Sequence, residues 1–272
     1  VNTLWNTIRK IYVRLFSSNF LFQKINNGLF DLTLSARGYN NHRNFVESGE
    51  KFFIKKHLSN KTTSLCIDVG ASEGNYTNLL LKETKSKVIS FEPLPFIYKK
   101  MVENLSNFSD RCTFVNKGVG AQNETRKIYF NEENSEHASF ASEIKKIDYV
   151  KNNNSLNVAI TSLDEFCRLN NIFEIDLIKI DTEGFEKEVF EGAKEIFAKI
   201  KPKFIQIEYN WHHLFRNTSL FFFSEKLPNY NVYQLIYNNM KKIDPKQPYA
   251  NLYMFSNFVF IRKDIDEDYS ND

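Results

Sequence analysis

Near the N-terminus, Trp5, Ile8, Ile11, Tyr12, Leu15 and Phe16 recur at helical spacing and predict an amphipathic helix reaching about Phe16. Packing on its own domain is the default expectation for such a stripe; a partner or a peripheral membrane contact is the alternative cover. Arg9, Lys10 and Arg14 break the apolar stretch 4–22, and no run approaches the length of a membrane span. From Lys61 the rhythm changes to short β-rich apolar runs separated by amphipathic stretches, the pattern of repeated βα units feeding a mostly parallel sheet. The run 64–69 passes straight into Gly70-Ala-Ser-Glu-Gly74, after which Tyr76, Leu79 and Leu80 follow at helical spacing. A second unit joins the run 87–91 to a helix that Pro95 can open and that Met101, Val102 and Leu105 continue.

Thr113-Phe-Val115 predicts a third strand, Gly118-Val-Gly120 breaks it, and a hairpin-like piece follows at 127–130. The stretch 131–156 is polar and aperiodic, which predicts a long loop, either a lid over a substrate or a surface insertion. Ser162 opens a short helix, 175–180 predicts a buried strand, and the stripe Phe185, Val189, Phe190, Ala193, Ile196, Phe197 and Ile200 predicts one regular helix ended by Pro202. Strands at 203–208, 231–237 and 253–262 follow, and the last two suit a sheet finished by an antiparallel pair. The expected organisation is a helical N-terminal extension or cap over 1–60, one catalytic domain over 61–264 and an acidic tail over 265–272.

Composition narrows the partners. The 272 residues suffice for one large α/β domain, and a net charge of +3, with lysines scattered among acids, leaves no basic block for a nucleic acid. Cys66, Cys112 and Cys167 are odd in number, far apart and without CxxC spacing, so neither a disulfide framework nor a zinc site is expected. A reducing, cytoplasmic setting fits that usage.

Open α/β sheets bind ligands beyond the carboxyl ends of their strands, which here are Asp68 to Gly74, Glu92, Gly118, Asp181 to Glu183, and Glu208. In Asp68-Val-Gly-Ala-Ser-Glu-Gly74 the glycines let main-chain amides approach a ligand, but the middle glycine of a G-x-G-x-x-G phosphate finger is missing. Asp68 and Glu73 would repel a pyrophosphate, whereas a cationic ligand would be favoured. S-adenosylmethionine has a sulfonium, an ammonium and no phosphate, and Glu92 stands where an acid can accept from both ribose hydroxyls. Against this stand a plain glycine turn with solvated acids, an NAD-dependent sugar oxidoreductase, which the missing phosphate finger disfavours, and a non-catalytic Rossmann-like binding module.

Asp68-Val-Gly-Ala-Ser-Glu-Gly-Asn75, Phe91-Glu92-Pro93, Thr161-Ser-Leu-Asp164, Ile178-Lys-Ile-Asp-Thr-Glu-Gly-Phe-Glu186, Gly192-Ala193 and Gln206-Ile-Glu208 together resemble the FkbM-type methyltransferase family over about residues 60–210. The resemblance implies a Rossmann-like α/β fold: a mostly parallel seven-stranded sheet with an antiparallel C-terminal strand, flanked by helices and preceded by the N-terminal extension. It implies S-adenosylmethionine as cofactor and O-methylation of a hydroxyl on a natural product or a glycan sugar. Carried over by position, Asp68, Gly70, Gly74 and Asn75 belong around the methionine portion, Glu92 at the ribose and Val119 or its neighbours at the adenine, with Ala71, Tyr76, Pro93 and Gly118 completing the cofactor set. Asp181 and Glu183 would lie beside the transferring methyl and the acceptor.

Methyl transfer from a sulfonium is an in-line displacement, so a base must take the hydroxyl proton. Asp181, Glu183, His212 and His213 are the candidates, with Asp181 best placed; the alternative is that Asp181 and Glu183 hold cofactor or cap the next helix. Glu208 and His212 follow the fifth strand and can reach an acceptor. Asp181, Glu183 and Glu208 could converge on magnesium, but spacing does not show convergence and no metal is assigned. The aromatic segment 211–223 reads as a sugar-stacking wall or as core. An N-P-P-Y-like segment is absent where Asp181-Thr-Glu-Gly stands, so amino methylation of nucleic-acid bases is not expected.

Overall fold

The computed structural model describes residues 2–59, 64–131, 137–147 and 150–266; the expected boundary at 60–61 and tail residues 267–272 lie outside the described residues. The chain opens with α1 (Asn2–Phe16), α2 (Phe20–Ala36) and α3 (Glu50–His57). Strands and helices then alternate through β1 (Leu65–Val69), α4 (Asn75–Glu83), β2 (Lys87–Phe91), α5 (Pro95–Asn104) and β3 (Cys112–Val115). A small second sheet follows, built from β4 (Gly118–Val119), β5 (Glu124–Phe130) and β6 (Asn154–Thr161). The main sheet resumes with α6 (Leu163–Leu169), β7 (Leu177–Ile180), α7 (Glu186–Glu191) and β8 (Phe204–Tyr209). It finishes with α8 (His212–Phe215), α9 (Leu220–Lys226), β9 (Tyr230–Ile236), β10 (Asn239–Ile243) and β11 (Ser256–Arg262).

The main sheet has the order β10-β9-β11-β8-β7-β1-β2-β3. From β8 to β3 every neighbour is parallel, and β11 inserts antiparallel between β8 and β9. All seven expected strands are present. The eighth, β10, pairs antiparallel with β9 at the edge; of its five residues only Met240 and Ile243 are buried, and its lysines face out, so the pattern carried too little apolar signal to announce a strand.

The parallel strands are covered on both faces, which is why they read as unbroken apolar runs. Alternate residues go to opposite layers. Cys66, Val88, Leu177 and Phe204 meet Phe53 and Ile54 of α3, Leu79 and Leu80 of α4 and Met101 of α5. Ile67, Ile89, Ile178, Ile180 and Ile205 meet Leu163 of α6, Val189 and Phe190 of α7 and Phe223 of α9. Each such side chain contributes about 1.5–3 kcal/mol by leaving water. Phe53 and Ile54 of α3 thus share a core with the sheet, although α3 falls within the expected N-terminal extension. All three cysteines are buried and unpaired with one another.

Three expectations are corrected. The stripe from Phe185 to Ile200 is not one helix: α7 stops at Gly192, where a Cβ would stand 2.0 Å from the Gly120 carbonyl oxygen, and a wide turn over Ile196–Ile200 follows. The Asp164 carboxylate accepts the amides of Glu195 and Ile196 and restarts the chain there. The polar stretch after Asn131 is no simple loop. Ser139 pairs with Tyr129, Phe140, Ile144, Ile147 and Val150 are buried, and β6 occupies its end; residues 132–136 and 148–149 lie outside the described residues. Finally, α1 does not pack on the domain, for Trp5, Ile8, Ile11, Tyr12 and Leu15 are exposed.

Candidate functional site

The chain leaves β1 toward β2 and β3 and returns to β7 on the other side of β1, so a crevice opens between the carboxyl ends of β1 and β7. Val69 is in register with Ile180, which sets the turns after them side by side. The approach is close: a Cβ on Gly70 would stand 1.8 Å from the Asp181 carbonyl oxygen, and Gly70 has φ +81, a backbone that favours glycine. Beyond it the Ser72 amide donates to Glu92 Oε2 (3.0 Å) and the Leu94 amide to Glu92 Oε1 (2.8 Å). Burial pushes the Glu92 carboxyl up to about 7 although both amides pull the other way.

Two cavities meet here. The first is lined by Gly70, Ser72, Glu92, Pro93, Gly118 and Val119, with Ile97, Ile128 and Phe140 as an apolar wall. The second holds Asn75, Lys179, Glu208, His212, Trp211 and Tyr253, and residues from 40–50 close one side of it. Asp181 and Glu183 line both. Four of the cofactor-binding candidates line neither, and nor does His213. Asp68 is fully buried under the turn, where Thr77 Oγ1 donates to its Oδ2 (2.7 Å) and its Oδ1 accepts no hydrogen bond among the described residues. Ala71 donates its amide to the Phe91 carbonyl, Gly74 precedes the first turn of α4, and the Tyr76 hydroxyl donates to Gln206 Oε1. These residues shape the turn from beneath.

The sequence reading passed over Lys179, whose Nζ lies 2.6 Å from Asp181 Oδ2. Burial opposes its charge, but Asp181, Asp68, Glu50 and Glu208 outweigh that and hold its pKa above the ordinary lysine value. Burial raises the carboxyls of Glu50, Asp68 and Glu208, and Asp181 and Glu183 push Glu208 further. A charged residue inside the run Leu-Ile-Lys-Ile was the available signal. Glu50 and His137 come from distant parts of the chain and gave none.

The turn after Asp181 is fastened on several sides. Glu183 has φ +53, uncommon for a residue with a side chain. Glu186 Oε1 accepts the amides of Thr182 (2.9 Å) and Gly184 (3.2 Å), Ser139 Oγ donates to the Glu183 carbonyl (2.7 Å), and Arg216 Nε donates to the Gly184 carbonyl (3.0 Å). Glu186 thus gathers the amides before α7, a task the sequence offered to Asp181 and Glu183. Burial works against the Glu186 carboxylate, but His213, 3.3 Å away, and these amides bring its pKa down to about 2. So held, Glu183 places Oε2 2.8 Å from His212 Nδ1. Burial lowers the pKa of His212, which favours the neutral imidazole.

The residues can also gather around a cation. Asp181, Glu183 and Glu208 each bring an oxygen, and His137, Glu183 and His212 each bring a ligand atom, to within 4.8 Å of one another. Either set suits a divalent ion, the first by hard oxygens and the second by mixed nitrogen and oxygen. The convergence that spacing did not reveal is therefore present.

The chain is 24% identical over 170 residues, covering 58% of this chain and 68% of the relative, to the 2-O-methyltransferase NoeI of Sinorhizobium fredii (strain NBRC 101917 / NGR234). Among solved structures, an rRNA methylase from Streptococcus thermophilus matches with TM-score 0.41 and 13% identity over 78% of this chain and 93% of that one. SMU.1697c from Streptococcus mutans, in complex with SAH, matches with TM-score 0.42 and 14% identity over 78% and 95%. Overlaps this loose say nothing about an acceptor. The pattern of the methyltransferase FkbM domain matches residues 68–235, more than half of the chain, and the chain belongs to that family.

Proposed function

We propose that this S-adenosylmethionine-dependent methyltransferase acts on a hydroxyl of a sugar, with His212 as the base and Glu183 as the residue that orients it. The first cavity fits the cofactor. It joins a turn with no room for a side chain at Gly70 to a pinned carboxylate at Glu92, and it has no phosphate finger. Four acids, Asp181, Asp68, Glu50 and Glu208, act on one buried lysine, and Glu92 and Glu183 add two more carboxyls along the crevice, which favours a cationic ligand. Glu92 would take the ribose, Val119, Ile97 and Phe140 the adenine, and Asn75 and Asp181 the methionine end. When bound, S-adenosylmethionine supplies an electrophilic methyl group on its sulfonium.

The observation that carries the reading is the second cavity, which shares Asp181 and Glu183 with the first and contains the His212–Glu183 pair. Neither ring nitrogen of the buried His212 makes a hydrogen bond among the described residues; Nδ1 stands 2.8 Å from Glu183 Oε2, and Nε2 can accept a hydroxyl proton. The walls suit a sugar: Trp211 and Tyr253 offer flat apolar faces, while Asn40, Asn44 and Asn210 can exchange hydrogen bonds with hydroxyls. That NoeI is a 2-O-methyltransferase supports oxygen as the atom methylated.

His212→Asn, assayed with a panel of sugars and mass detection of the methylated product, tests the base. The variant should bind S-adenosylhomocysteine as the parent does and turn over about 10²–10⁴ times more slowly. Unchanged turnover would remove His212 from the chemistry, and a parent protein that binds the cofactor product yet methylates no hydroxyl would favour the binding-module reading. The nicotinamide alternative falls with the family.

A further inference from the structure

We infer that α1 and α2 form a peripheral anchor that lies on an anionic lipid surface. In α1, Leu4, Trp5, Ile8, Ile11, Tyr12 and Leu15 fall within an arc of about 120° at the helical 100° per residue, whereas Arg9, Lys10 and Arg14 lie outside it. This apolar arc faces solvent, with Leu4 70% and Trp5 67% exposed. In α2, Leu21, Ile25, Leu29 and Leu32 repeat at helical spacing and are also exposed, Leu21 by 63% and Leu32 by 69%. The two helices are nevertheless a formed unit. Phe16 packs edge-on against Phe22 at 4.5 Å, Tyr12 donates to Asn26, and Asn19 caps α2. The domain holds the far end, where Leu34 enters the core and Arg37 lies over the Tyr249 ring.

An apolar face of this extent on an ordered hairpin requires a cover. The charges choose it. Arg9, Lys10, Arg14 and Lys24 accompany a single acid, Asp31, across both helices. A second copy would set these cations against their own kind, whereas the phosphates of an anionic leaflet match them. Trp5 and Tyr12 suit the headgroup boundary, and among the described residues no helix is long and apolar enough to cross a membrane, so the hairpin lies in the plane of the surface. The chain then runs from α2 into the segment that walls the second cavity, which ties that cavity to the lipid surface.

The chain has two tryptophans, so Trp211→Phe leaves Trp5 as the sole reporter. Vesicles containing phosphatidylglycerol should shift its emission to the blue, bromine-labelled acyl chains should quench it, and binding should exceed that to pure phosphatidylcholine by more than about tenfold at low salt. Ile8→Glu with Ile11→Glu should abolish vesicle binding and leave S-adenosylhomocysteine binding unchanged, which separates loss of the anchor from loss of the fold. No spectral shift, or equal binding to both kinds of vesicle, overturns the inference. So does a vesicle-free dimer in light scattering that the double variant dissolves, since the cover would then be a second copy.

Discussion

Lowering the pH from 8 to 6 should weaken S-adenosylhomocysteine binding about tenfold, through Glu92. Its carboxyl is raised to about 7 because it is buried, with the Ser72 and Leu94 amides only partly compensating. To accept hydrogen bonds from both ribose hydroxyls it must be ionised. At pH 8 roughly ten molecules in eleven are ready, at pH 6 roughly one in eleven, and the ratio corresponds to about 1.4 kcal/mol. Stability moves the opposite way. The folded pKa lies above the unfolded value of 4.5, so the contribution of the protonated carboxyl is complete below 4.5 and is lost as the pH rises through about 7, in total about 3 kcal/mol. Titration calorimetry at three pH values, in buffers of different ionisation enthalpy, reads affinity and proton release together. Glu92→Gln should flatten the pH dependence and raise the melting temperature of the ligand-free protein above pH 7. A flat parent affinity, or a slope that survives in Glu92→Gln, would refute the reasoning.

Other perturbations reach different parts of the site. Gly70→Ala should lose cofactor-product binding in calorimetry, because the added carbon would stand 1.8 Å from the Asp181 carbonyl. Lys179→Met leaves Glu50, Asp68, Asp181 and Glu208 without their buried cation and should cost about 3–5 kcal/mol, read as a lower urea midpoint. For Glu186 the folded pKa of about 2 lies below the unfolded 4.5, so its stabilisation is present above 4.5 and lost as pH falls through 2. Glu186→Gln should therefore lower stability by about 3 kcal/mol at neutral pH, and its deficit against the parent in thermal melts should shrink in acid.

Strand ends were legible because a parallel strand buried on both faces announces itself as an apolar run, and the residue that follows is where a ligand can reach. Gly70, Glu92, Asp181 and Glu183 stand out that way, and all four line the first cavity. Hydrophobic period could not reveal what depends on backbone approach. Gly192 lies among the regular apolar positions of a helix, yet its contact with Gly120 ends α7. Nor could it reveal contacts between distant segments: the wall from residues 40–50 and the meeting of His137 with His212 exist only once the sheet is assembled. Lys179 was visible as a charge among isoleucines, and only its four acidic neighbours explain it. The α1 stripe marks a helix, and only its default cover, the domain itself, fails, because periodicity marks which face is apolar without saying what lies against it.

The turn from Asp181 to Glu183 is one rigid piece of backbone with a cavity on either side. Fastened by Glu186, Ser139 and Arg216, it has little freedom to satisfy one ligand without altering its presentation to the other. A ligand that engages the Asp181 or Glu183 side chain from one side changes what is offered on the other, and whatever factor the cofactor product imposes on acceptor affinity, the acceptor must impose in return. Such reciprocity would show as an acceptor affinity that changes when the cofactor product is bound, by the same factor by which the acceptor changes the affinity for that product.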